Sequence, residues 1–125
     1  MTTTPSERRV ALVTGASRGI GRAIAKALVR DGLFVLVNYV ANEAAAQQTL
    51  AELGEGNAAL QQFDVASEAA VDAAVKAIGE KYGRLDVVVN NAAVAVDGLL
   101  LRVKTADWHK VIETNLSSAF YLSRA

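Results

Sequence analysis

Four short apolar runs, rich in β-branched residues, alternate along the chain with longer stretches whose apolar positions recur at three- and four-residue spacing. Residues 10–14, Val-Ala-Leu-Val-Thr, predict the first strand. A glycine-bearing segment then leads to residues 20–31, where Ile24, Ala27 and Leu28 share one face of a predicted helix and Gly32 supplies its stop. Residues 33–39 are apolar nearly throughout, as befits a strand covered on both faces. Asn42 is placed to cap a helix that turns Ala46, Leu50 and Leu53 inward and ends at Gly54. Residues 58–63 predict a third, less apolar strand. Ser67 then caps a helix with Val71, Ala74, Val75, Ile78 and Tyr82 at helical spacing, closed by Gly83. Residues 85–90, centred on Val87, Val88 and Val89, predict the fourth strand, and residues 105–113 and 116–124 carry helical patterns beyond a loop.

This alternation defines an α/β chain with right-handed crossovers and a parallel sheet covered by helices on both faces. A length of 125 residues fits one domain, and an apolar fraction of 52% with 21% charged residues is ordinary for a globular chain. Abundant alanine favours helices packed closely on the sheet. Thirteen basic and thirteen acidic residues cancel, so charge offers no case for nucleic acid or an acidic membrane surface. The absence of cysteine excludes disulfides and thiolate-bound metal, and one histidine cannot form a cluster, so no metal site is expected. No apolar stretch reaches the roughly 18 residues that a membrane span needs. Residues 1–8 are polar and are expected to form a flexible tail.

The chemistry gathers first at Thr14-Gly15-Ala16-Ser17-Arg18-Gly19-Ile20-Gly21, between the first strand and the first helix. Glycines at a βα junction permit a tight turn, close approach of backbone to a pyrophosphate and tight helix–strand packing. The helix N-terminus adds N–H groups and partial positive charge. The spacing is G-x-x-x-G-x-G, and no Gly-Lys-Ser/Thr follows, which excludes a P-loop. Cofactor choice is read at the end of the second strand, where a carboxylate would bond the ribose of NAD and repel a 2′-phosphate. Asn38 and Tyr39 stand there instead, with no carboxylate before Glu43, and Arg18 is placed to bond a phosphate. The balance favours NADP(H) over NAD, with a solvated loop arginine as the alternative for Arg18.

Thr14-Gly15-x-x-x-Gly19-x-Gly21, Asp64-Val65, Asn90-Asn91-Ala92-Ala93 and Asn115 fall in the order and approximate spacing of the short-chain dehydrogenase/reductase family, which the chain resembles from the tail onward. Within it, Asp97-Gly98-Leu99-Leu100-Leu101-Arg102, Trp108 and Val111-Ile112-x-Thr114-Asn115-Leu116 look like the bacterial 3-oxoacyl-[acyl-carrier-protein] reductases. The resemblance implies that Gly15, Gly19 and Gly21 cradle the pyrophosphate, that Ser17 and Arg18 of the same loop also meet the cofactor and that Ile20 packs beneath the nicotinamide end. It implies that Asp64 accepts a bond from the adenine amino group beside the Val65 backbone; a loop or helix-capping carboxylate is the alternative. Asn90 would lie by the cofactor ribose and tie neighbouring strands together, with Asn91, Ala92 and Ala93 completing the wall. Ala93 stands where the family usually has glycine. Asn115 would be the first member of a catalytic Asn-Ser-Tyr-Lys set, or an asparagine that only kinks a helix.

The rest of that set is absent. The family's proton donor is a tyrosine followed four residues on by lysine, whereas Tyr39, Tyr82 and Tyr121 are followed at that spacing by Glu43, Asp86 and Ala125. His109 and Trp108 read as surface and core residues. Leu99, Leu100 and Leu101 read as a core or subunit contact, or as an acyl-chain contact.

The expected fold is therefore a Rossmann-type doubly wound parallel sheet with strand order 3-2-1-4, its N-terminal half only, truncated before the later strands. Residues 9–125 would form a partial dinucleotide-binding domain. The parent would be an NADPH-dependent cytoplasmic reductase of acyl-carrier-protein-bound or other keto substrates, a homo-oligomer and by family expectation a tetramer. The chain alone would be inactive. Three classes of role stand open: part of a longer enzyme, a nucleotide-binding chain without chemistry, or an assembly unit whose open sheet edge recruits another chain.

Overall fold

The computed structural model describes residues 8–92 together with 105 and 106. The expected tail lies outside them except for Arg8. So do the patterns at 105–113 and 116–124, except for Thr105 and Ala106, which are helical and exposed. Four strands, β1 (Val10–Val13), β2 (Phe34–Tyr39), β3 (Ala58–Gln62) and β4 (Val87–Val89), alternate with three helices, α1 (Gly19–Arg30), α2 (Glu43–Leu53) and α3 (Glu68–Tyr82). All strand pairings are parallel and the order is β3-β2-β1-β4, as the alternation and the resemblance predict.

The side-chain alternation of the central strands decides where each helix packs. Val10 and Leu12 of β1, with Phe34 and Leu36 of β2, face Val71, Ala74 and Ile78 of α3. Val13, Val35 and Val37 project to the opposite face and meet Ala25 of α1 and Leu53 of α2. Both faces are dry, which is why β1 reads as an unbroken apolar run. Each fully buried valine or leucine in this layer contributes about 1.5–3 kcal/mol relative to an exposed one.

Caps fix the helix boundaries. Asn42 Oδ1 accepts a hydrogen bond from the Ala45 N–H at 3.0 Å, and Ser67 Oγ accepts one from Ala70 N–H at 3.2 Å. Gly83 ends α3 in the left-handed region, with φ +76°, and its N–H returns to the Gly79 carbonyl at 2.9 Å. Strand β4 is shorter than residues 85–90, because a side chain takes over the ladder before Val87. The Asp86 carboxylate accepts the Val10 N–H at 2.8 Å, while the Asp86 N–H donates to the Val10 carbonyl at 2.9 Å. On α2 the buried residues are Ala46, Thr49 and Leu53 rather than Ala46, Leu50 and Leu53. A threonine displaces the expected leucine because its hydroxyl has buried partners, given below.

Candidate functional site

All four strands end on one edge of the sheet, and their following loops enclose a cavity of about 670 Å³. Its walls are residues 15 and 17–20 after β1, 38–42 at the end of β2, 64–66 after β3, and 91 and 92 after β4. From β1 the chain moves to β2 on one side, while β4 lies on the other. The cavity therefore sits at the carboxyl ends of the strands around the point where strand order reverses, where open parallel sheets bind ligands.

The loop after β1 can fold this way only with glycine at two places. Gly15 has φ +63° and a Cβ on it would stand 2.9 Å from Ala92 Cα, so the loops after β1 and β4 touch backbone to backbone. Gly19 has φ +61° and a Cβ there would meet nothing within 4 Å, which leaves open space along that part of the wall. Gly21 serves differently. It is buried and absent from the cavity wall; a Cβ on it would run into the Gly15 carbonyl and stand 2.5 Å from Asn91 Nδ2. The resemblance assigns Gly21 to the cradle, but its bareness here serves packing beneath the loop.

Helix α1 begins at this loop without the devices that close the other two helices. Its N-cap, Arg18, makes no side-chain cap bond and its first turn carries no acidic residue, whereas α2 and α3 have capping Asn42 and Ser67 and first-turn Glu43 and Glu68. The N–H groups of a first helical turn have no intrahelical acceptor, so this end of α1 presents donors and partial positive charge to an anion.

A buried polar frame holds the loop in place. Asn38, 1% exposed, accepts the Gly15 N–H at 3.2 Å through Oδ1. Its Nδ2 donates to the Gln61 and Phe63 carbonyls at 3.2 and 3.0 Å. Asn38 was expected to read the cofactor at the end of β2; both its amide hydrogens are instead committed to the β3 side, and its neighbours Tyr39, Val40, Ala41 and Asn42 carry that wall. The Thr14 hydroxyl donates to the Val89 carbonyl at 3.2 Å and accepts the Asn91 and Ala92 N–H groups, each at 2.9 Å. Asn91 Nδ2 donates to the Thr14 and Gly15 carbonyls at 3.2 and 3.1 Å. The strand-tying role expected of Asn90 thus belongs to Asn91, and Asn90 is exposed.

Asp64 is exposed at the cavity wall. Its Oδ1 accepts the Ala66 N–H at 2.9 Å, and its backbone carbonyl accepts the Ser67 N–H at 3.1 Å, so it shapes the turn before α3. Val65 is buried beside it. Arg18 is exposed and is the one cationic side chain among the described wall residues, as Asp64 is the one carboxylate. Ile20, 74% exposed, and Val40, 49% exposed, are the two large apolar side chains left open to solvent among the described residues, and both stand on this wall. The cavity therefore brings together Gly15, Ser17, Arg18, Gly19, Ile20, Asn38, Tyr39, Asp64, Val65, Asn91 and Ala92. Ala93 and Asn115 lie outside the described residues, as do Trp108, His109 and Leu99 to Leu101.

Reading the sequence missed the groups of α1 and α2 that brace the loop between them. Arg22 Nη2 donates to the Ser17 carbonyl at 2.6 Å, its Nε donates to Thr49 Oγ1 at 2.8 Å, and its Nη1 lies 2.9 Å from Glu52 Oε2. A hydrogen bond from Lys26, with the charges of Lys26 and Arg22, holds the Glu52 carboxyl below its ordinary value. The four-residue offset from Arg18 to Arg22 was the available signal, because it turns Arg22 back over the loop.

Fold and site together define a Rossmann-type doubly wound unit. The sequence profile described as short chain dehydrogenase matches residues 9–125, and the chain belongs to that family. The chain is 46% identical over 119 residues to a 3-oxoacyl-[acyl-carrier-protein] reductase of Synechocystis sp., covering 94% of this chain and 48% of the relative. It is 43% identical to the 3-oxoacyl-[acyl-carrier-protein] reductase FabG of Escherichia coli, covering 95% and 48%. Among solved structures, a candidate gluconate dehydrogenase from Agrobacterium tumefaciens superposes with a TM-score of 0.85 at 39% identity, covering 93% of this chain and 46% of that one. The chain thus spans about half the length of the curated relatives it matches.

Proposed function

We propose that the chain binds NADP(H) and forms the N-terminal, cofactor-binding portion of a reductase that converts 3-oxoacyl-[acyl-carrier-protein] to the 3-hydroxyacyl form. The observation that carries this reading is the uncapped start of α1, set behind a loop with two left-handed glycines, at the edge of a cavity large enough for a nucleotide. These residues fit the cofactor. The first-turn N–H groups of α1 and the open space at Gly19 suit a pyrophosphate, and the uncommitted Oδ2 of Asp64 suits an amino group of an adenine. Arg18 suits a 2′-phosphate, and no carboxylate at the end of β2 stands to repel it.

NADPH, when bound, supplies a hydride to the carbonyl carbon of the substrate. The work of this chain is to bind and orient it. The α1 terminus and the glycine loop fix the phosphates, the β2 and β3 loops fix the adenosine, and Ile20 with Val40 removes apolar surface from water when covered. Asn115 remains the proposed first member of a proton relay. No tyrosine of the chain carries a lysine four residues on, so these 125 residues are expected to bind without turnover. No helix among the described residues is long and apolar enough to cross a membrane; the cytoplasmic setting is part of the proposal. The parent is proposed to be a homo-oligomer, by family expectation a tetramer, acting on acyl-carrier-protein-bound substrate. A second reading, a reductase of another ketone or alcohol, is favoured by the likeness to the Agrobacterium protein at 39% identity.

Titration with NADPH, NADH and 2′,5′-ADP tests the cofactor reading. NADPH and 2′,5′-ADP are expected to bind in the micromolar range and NADH at least tenfold more weakly. Arg18→Ala should remove most of that preference, a loss of about 1.4 kcal/mol per factor of ten. Equal affinity for NADPH and NADH would overturn the assignment of NADP(H).

A further inference from the structure

We infer that Arg22 and Thr49 are positioning residues, a brace through which α2 sets the conformation of the phosphate-facing loop. The inference rests on the dinucleotide reading for its ligand, though not for its geometry. The Ser17 carbonyl is held twice on the side that faces α2: by Arg22 Nη2 of α1 at 2.6 Å and by Thr49 Oγ1 of α2 at 2.9 Å. Arg22 is itself oriented by three groups of α2, namely Thr49 Oγ1, the Ala45 carbonyl at 3.3 Å and Glu52 Oε2 at 2.9 Å. Thr49 is fully buried and its oxygen works both ways, accepting from Arg22 Nε and donating to Ser17.

This arrangement has a directional consequence. In a trans peptide the C=O and the following N–H point to opposite sides. Pinning the Ser17 carbonyl toward α2 therefore turns the Arg18 N–H away from α2. The loop needs such a restraint because Gly15 and Gly19 bracket it, and glycine leaves the backbone the widest choice of conformations. The brace reaches the second wall as well. Asn42, which lines the cavity, caps α2 at the Ala45 N–H, and the Ala45 carbonyl is among the acceptors of Arg22. Arg22 thus spans from the loop after β1 to the helix whose cap forms the loop after β2. It fixes the width between the phosphate side and the adenosine side.

The test compares Thr49→Val, Thr49→Ser and Arg22→Met in the 125-residue chain, by NADPH titration and by amide exchange of the ligand-free protein. Thr49→Val is expected to weaken NADPH at least fivefold and Arg22→Met at least tenfold. Exchange at the hydrogen-bonded amides of Gly15, Ala16 and Arg22 should quicken about tenfold in both, with Leu12 and Leu36 of the sheet unchanged. Thr49→Ser, which keeps the hydroxyl, should match the wild type in both measurements. Equal exchange in Thr49→Val and wild type, or equal acceleration in loop and sheet, would overturn the brace. If the wild type binds no NADPH, the dinucleotide reading fails by itself, and the exchange pattern of the ligand-free chain still decides the brace.

Discussion

Replacing Asn38 by leucine, a side chain of similar size, tests whether the polar frame beneath the cavity holds the sheet's carboxyl edge. Asn38 is 1% exposed, so water cannot take over its bonds without opening the structure. The substitution strands the Gly15 N–H and the Phe63 carbonyl, now bonded at 3.2 and 3.0 Å, and takes one of two donors from the Gln61 carbonyl, which keeps the Tyr39 N–H of the parallel ladder. An orphaned buried group costs about 1–3 kcal/mol, and Gly15, which lines the cavity, falls at the low end, so with the weakened Gln61 carbonyl the losses together cost about 3–5 kcal/mol. The added apolar surface of leucine offsets about 1 kcal/mol of that. A net loss of about 2–4 kcal/mol is a large share of the roughly 5–15 kcal/mol that holds a domain folded. In urea, with a slope of about 1.5 kcal/mol per molar, the midpoint should fall by about 1.3–2.7 M at unchanged slope. A fall under about 0.5 M would refute the reasoning, because it would mean that these three groups find other partners at little cost.

Gly21→Ala places a Cβ 2.5 Å from Asn91 Nδ2, so it should lower stability by about 2 kcal/mol or more in urea melts and abolish NADPH binding together with it. Gly19→Ala meets no atom within 4 Å, and its cost is the left-handed backbone alone, about 1–2 kcal/mol. Because its methyl stands on the cavity wall, titration should show NADPH binding weakened more than stability. Acid should weaken the fold at two exposed pairs. Glu52 is held below its ordinary 4.5 chiefly by the hydrogen bond from Lys26, and Asp86 below 3.8 chiefly by that from Arg84 and then by the Val10 N–H. Both folded values are depressed, so the stabilisation is complete above about pH 5 and is lost as pH falls through the folded values. Melts from pH 7 to pH 3 should show this decline, and Glu52→Gln with Asp86→Asn should flatten it.

Much of the architecture was legible because the apolar pattern and the caps agree. Val10 to Val13 could be nothing but a strand covered on both faces, and Asn42 and Ser67 announce α2 and α3 by the oxygen each lends to an N–H three residues on. The glycine loop was legible from its junction, since the positive φ of Gly15 and Gly19 is a need that sequence displays directly. What stayed hidden is the cross-chain polar frame. Thr49 and Arg22 lie 27 residues apart, and no periodicity announces that a threonine will outrank a leucine for the buried side of α2. Asn38 and Asn91 illustrate the same limit. An asparagine at the end of a strand can face a ligand or grip a neighbouring backbone, and only the third dimension tells which.

The approach of Gly15 to Ala92 has a consequence for how such a chain can change over generations. Two segments 77 residues apart share a space too narrow for one methyl group, since a Cβ on Gly15 would stand 2.9 Å from the Ala92 backbone. A larger residue at position 15 becomes admissible only after the chain near 92 has withdrawn. Withdrawal alone would in turn tear two N–H groups from the Thr14 hydroxyl. Each single step costs stability, so the residue at 15 and the backbone at 92 can change only together.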